Sequence, residues 1–232
     1  MHYRYFRPGV KNKFTIVASI LRLSTKYLAP ALRQQAIEMF MTAYPSTYDA
    51  WKQRGTARLV APIDNEFGLL VVLAEQTDVR VVLPGLFYAA AKRPLAETLA
   101  QLHALPLSEA VKQDVATKFL LGREALQKEE ITEVLAFFQA GFVRPNCQNN
   151  NDGNILLNFT RTVLYRMPLD EPYHEYCVKN PDAVGPNIGV CANCTNTIRD
   201  HIESANRKIW QRLPEFFGLP AWEVLTANED GH

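Results

Sequence analysis

The chain has 232 residues, 47% hydrophobic and 21% charged, a globular balance that excludes a disordered chain and supplies a core without disulfides. A formal net charge of +1 gives no overall pull toward phosphate backbones or anionic lipid, so nucleic acid and membrane are not expected partners. No stretch reaches the ~20 apolar residues of a bilayer span and no secretory signal is visible, so the cytosol or nucleus is expected. The four cysteines are then expected to stay reduced.

The local basic run Arg4, Arg7, Lys11 and Lys13 reads as a solvated terminus. Behind it, Phe14, Val17, Ile20, Leu21 and Leu28 recur at intervals of three, four and seven, the mark of a helix. Ile16, Leu23 and Tyr27 widen the stripe, which predicts a helix buried on most sides. Pro30 stops it by barring helical geometry at Ala29, then serves as the first residue of a second helix. Leu32, Ala36, Met39, Phe40 and Ala43 point inward there, giving a helical hairpin from Phe14 to Tyr44.

The pattern repeats. Asp64 caps a helix through Phe67, Leu70, Val71 and Ala74, closed by Thr77-Asp78, and Pro84 opens the next through Leu86, Phe87, Ala90 and Ala91. Ser108 caps a helix toward Leu126, a separate one runs from Ile131 to Phe138 and stops at Gly141, and a third holds Ile155, Leu156, Phe159, Val163 and Leu164. Asn146–Asn154 and Gly185-Pro186 read as loops. A long amphipathic helix follows from Thr195 through Ile198, Ile202, Ala205, Ile209 and Leu213, and the Phe216–Trp222 tail should fold back on it. Alternating segments are confined to Arg58–Ile63 and Arg80–Leu83, too short for a sheet. The fold class is all-α or mainly α, built of stacked helical hairpins.

The run Phe14-Thr15-Ile16-Val17-Ala18-Ser19-Ile20-Leu21-Arg22-Leu23-Ser24-Thr25-Lys26-Tyr27 resembles the end of the BTB/POZ domain of fungal, mushroom-type BTB proteins. There it forms the last helical hairpin of that fold. Ala43-Tyr44-Pro45-Ser46-Thr47, Trp51, the Phe67–Ala74 and Leu83–Tyr88 helices and the closing stretch Arg212–Leu225 share the likeness. The strand-rich front half of a BTB domain, which supplies the superfamily's dimer interface, has no counterpart here. The resemblance implies a protein–protein interaction or adaptor protein without catalytic activity. It divides the chain into the helical end of a BTB/POZ domain (1–55), a helical extension (56–145) and a cysteine-containing helical region (146–232). Partner identity and oligomeric state are left unassigned.

The cysteines are the chief candidate for chemistry. Cys191-Ala192-Asn193-Cys194 is a CxxC before a helix, with Cys147 and Cys177 upstream in polar stretches. Four thiolates can hold one tetrahedral structural zinc, with His174 and His201 as alternative nitrogen ligands. The competing reading is four ordinary reduced cysteines, and the competing function is a small zinc-stabilised structural or regulatory domain. Five scattered histidines make no triad, and His103 reads as a helix-end residue. Glu129, Glu130 and Glu133 read as a solvated helix start. Trp210, Phe216, Phe217 and Trp222 read as a local core pinning the tail, with a surface patch as the alternative.

Overall fold

The computed structural model describes residues 9–139, 147, 154–156, 158 and 173–230. Among these residues the fold is all-α, as the apolar spacing predicts. Strand geometry is limited to one parallel bridge between Asn12 and Val60, the latter in one of the two alternating segments. The chain forms two compact units, one of residues Met1–Arg123 with Gln211–His232, the other of Glu124–Trp210.

The first unit begins with α1 (Phe14–Lys26) and α2 (Pro30–Met41), the expected hairpin, with Pro30 in the first turn of α2. Two helices that were not among the expected elements are present: α3 (Tyr48–Ala57) after α2, and α6 (Leu95–His103) after α4 (Glu66–Thr77) and α5 (Leu83–Ala91). α3 is rich in polar residues, so its periodicity is weak, whereas α6 carries Leu95, Leu99 and Leu102 at helical spacing. His103 does end α6. The start of α4 falls one residue later than expected, with Asn65 at the cap in left-handed geometry (φ 55°). Asn tolerates that region because its short amide can bond locally.

The expected helices ending at Leu126 and beginning at Ile131 are one helix, α7 (Glu109–Val134), continued by a 3₁₀ turn at Leu135–Phe138. The intervening Gln127-Lys128-Glu129-Glu130 is made of good helix formers with no Pro or Gly, so nothing interrupts it. Ser108 precedes it as predicted, its Oγ accepting from the Val111 N–H at 3.4 Å. The boundary between the units falls within α7. Gly141 and most of the Asn146–Asn154 loop and of the helix expected over 155–164 lie outside the described residues.

In the second unit come α8 (Tyr173–Lys179), α9 (Pro181–Ile188) and α10 (Ala192–Gln211). Gly185-Pro186, read as a loop, lies inside α9. The proline costs a helix this short few hydrogen bonds, and α9 ends at Gly189 with φ 83°. Gly185 is needed for packing: a Cβ there would lie 2.7 Å from the Thr195 Cα. Ile198, Ile202 and Ile209 form the buried stripe of α10, as their spacing predicts.

The tail, α11 (Leu213–Phe216) and α12 (Trp222–Asp230), belongs to the first unit. There α11 packs on α5 and α12 on α2. Phe217 is fully buried and meets Phe87 edge-on with ring centroids 5.2 Å apart. Phe87 also meets Phe67 and Phe119, so an aromatic cluster centres the unit. Such pairs add about 0.5–1.5 kcal/mol each beyond burial. Gly122 of α7 makes room for this cluster, since a Cβ there would overlap the Phe217 ring. Trp222 is buried too, in line with a local core and not a surface patch.

Candidate functional site

Two features stand out, one in each unit. In the first unit, α1 is not buried on most sides. Phe14, Val17, Ala18 and Leu21 are covered, but Leu23 is 51%, Tyr27 69% and Leu28 86% exposed. The end of α1 closes in a Schellman arrangement. The Ala29 N–H donates to the Ser24 carbonyl at 2.9 Å and the Leu28 N–H to the Thr25 carbonyl at 3.4 Å. That geometry puts Leu28 at the left-handed position (φ 51°), where glycine is the usual residue. Among the described residues the other non-glycine positions with positive φ are Asn65 and Asp78, types that tolerate it. A leucine there costs about 1–2 kcal/mol of backbone energy. With its side chain in solvent, it recovers almost none of that through burial.

Beside Leu28 lies a cavity of about 390 Å³, lined also by Thr25, Pro30, Arg33, Thr77 and Asp78. Arg33, on the inward face of α2, is buried and donates from Nη2 to the Thr77 carbonyl at 3.3 Å, satisfying an acceptor at the end of α4. The exposed Arg22 and Lys26 flank the apolar edge, and Arg22 Nε donates to Gln76 Oε1 at 2.7 Å.

In the second unit, three of the four expected metal ligands come together. The sulfur atoms of Cys147, Cys191 and Cys194 lie within 4.8 Å of one another. Cys191 immediately precedes α10 and Cys194 lies in its first turn, so the CxxC spacing alone brings two sulfurs together. Cys194 is buried, while Cys147 and Cys191 are partly exposed. Tetrahedral zinc with Zn–S bonds of 2.3 Å separates its sulfurs by about 3.8 Å. A contraction of about 1 Å at most would fit the three thiolates to such an ion. Cys177, fully buried on α8, is outside this group. The two histidines are outside it as well. The His201 ring Nε2 is 2.9 Å from the Glu133 carbonyl, and His174 Nε2 is 3.6 Å from the Glu130 carboxylate.

No family model, no curated protein and no solved structure matches this chain.

Two buried polar groupings were not legible as such. Glu130 is 1% exposed and faces His174, so it does not belong to a solvated face. It also lies late in α7 and not at a helix start, because the two expected helices are continuous. In the first unit, Glu66 pairs with the Arg58 guanidinium and the Tyr44 hydroxyl. Burial raises the Glu66 carboxyl above its ordinary range, against the lowering pull of Arg58. Burial, then the Glu66 charge, also pushes the Tyr44 hydroxyl up, so it stays protonated and donates. Arg54 stacks 3.2 Å from the centroid of Trp51, which meets Tyr88 edge-on at 5.3 Å. Burial lowers the Arg54 pKa from its ordinary value. These contacts hold α3 to α4 and α5, with the Glu66 carboxylate committed to structural partners.

Proposed function

We propose that this chain is a non-catalytic protein–protein interaction module whose binding edge is Leu23, Tyr27 and Leu28. Leu28 carries the reading. A bulky residue sits where the backbone favours glycine and is 86% exposed, an arrangement that works against folding stability and leaves the side chain available to a partner. The cavity beside it can accept an apolar side chain, and Arg22 and Lys26 favour a partner with acidic flanks. The likeness of residues 14–27 to the end of a fungal BTB/POZ domain supports an adaptor role of that type, carried out in the cytosol or nucleus. No helix among the described residues is long and apolar enough to cross a membrane.

The test is a photo-crosslinking amino acid at Tyr27, introduced in living cells. A defined protein adduct that Leu28→Asn abolishes supports the reading. An adduct indifferent to Leu28, or none, overturns it.

The second reading, a zinc-stabilised structural or regulatory domain, draws its support from the convergence of Cys147, Cys191 and Cys194. A thiolate set favours a soft ion such as zinc over magnesium or calcium. Metal analysis after dialysis should return one zinc per chain, and metal-free protein with native helicity would end this reading.

A further inference from the structure

We propose that the Cys147–Cys191–Cys194 site is oxidant-gated: a hydroperoxide converts Cys191 and Cys194 to a disulfide and so discharges the metal. This rests on the zinc reading above. Three observations carry it. All three sulfurs lie within 4.8 Å of one another, and none of the four cysteines is in a disulfide. Cys191 is partly exposed and can be reached by a small oxidant, whereas Cys194 is buried. The Thr195 N–H donates to the Cys191 carbonyl at 2.9 Å, closing a single turn that holds both sulfurs.

The chemistry balances within the site. The Cys191 sulfur attacks a peroxide oxygen. The O–O bond breaks, a sulfenic acid forms on Cys191, and the departing oxygen takes a solvent proton and leaves as water. The Cys194 sulfur then displaces the hydroxyl, which leaves as a second water with a second solvent proton. Two electrons pass from the two sulfurs to the two oxygens of hydrogen peroxide. The S–S bond contracts to about 2.05 Å, well short of the ~3.8 Å separation a tetrahedral zinc requires. Two of the three thiolates are thereby withdrawn and the ion leaves.

The pair is Cys191 with Cys194 because only two residues separate them and Cys191 precedes the helix, where its backbone can adjust. Cys147 is distant from both in sequence, so its pairing with either would close a far longer loop. Oxidation would thus empty the site, a change reversed by thiol reductant and zinc.

The experiment uses the full chain loaded with one zinc ion and titrated with hydrogen peroxide. Zinc release is read with a chromophoric chelator and thiols are counted in denaturant. The expected result is one zinc released per peroxide consumed, a fall from four thiols to two, and a 191–194 disulfide in the peptide map. Dithiothreitol with added zinc restores the loaded form, and Cys177→Ala leaves the release stoichiometry unchanged. Zinc retained while thiols are lost, or a disulfide that includes Cys147, overturns the gating and leaves the zinc reading standing. A chain that takes up no zinc overturns both.

Discussion

Leu28→Gly separates stability from binding in one substitution. Relief of the left-handed backbone returns about 1–2 kcal/mol. Against this, glycine gives the unfolded chain more freedom, worth about 0.4–1 kcal/mol. The burial lost is small, because 86% of Leu28 is already exposed. At about 1.5–3 kcal/mol for full burial of a leucine, the covered remainder is worth about 0.3 kcal/mol. The balance predicts a variant that is unchanged or more stable by about 0.5 kcal/mol. Urea unfolding followed by far-ultraviolet circular dichroism measures the shift in midpoint at unchanged slope. The same variant should weaken partner binding by about 2 kcal/mol, roughly 30-fold, as expected of an apolar anchor. Destabilisation by more than about 1 kcal/mol would refute the reasoning, because Leu28 would then be serving the fold and not a partner.

Phe217→Ala should cost about 4 kcal/mol in urea unfolding, since a fully buried ring and its packing on Phe87 are lost; a cost under about 1 kcal/mol would mean that the tail does not seat in the first unit. Gly122→Ala sets a helix-propensity gain of about 1 kcal/mol against crowding of about 1–3 kcal/mol, and should come out destabilising because the new Cβ meets the Phe217 ring and lies 2.8 Å from the Phe216 carbonyl oxygen. A Gly122→Ala chain with a higher melting temperature would contradict that packing. Glu66 binds its proton more tightly when folded, so its stabilising contribution is full below the ordinary carboxyl pKa and is lost as pH rises through the raised folded value. Unfolding midpoints measured across that window should fall less steeply with pH in Glu66→Gln than in the parent, and identical slopes would remove the burial argument.

How much was legible depends on whether a feature is local. Pro30 and the apolar spacing of Phe14–Phe40 were enough to set the first hairpin, because φ restriction and helical periodicity act within a few residues. The stripe of α10 and the pairing of Cys191 with Cys194 are local in the same sense. The polar helix α3 lacks such a stripe, and the stretch 127–130 has no stop signal, which is why two expected helices are the single α7.

The sequence by itself determined the all-α class, the start of α2 at Pro30, the end of α4 at Thr77-Asp78, and the cysteines able to hold a soft metal. Only the tertiary structure decided that Leu23, Tyr27 and Leu28 stay uncovered, that Cys147 joins the CxxC pair while Cys177 does not, and that the Phe217 tail returns to the aromatic cluster of the first unit. Periodicity records which side chains share a helix face. Whether a neighbour covers that face, or a thiol from a remote segment reaches it, depends on chain-distant packing that no local pattern encodes.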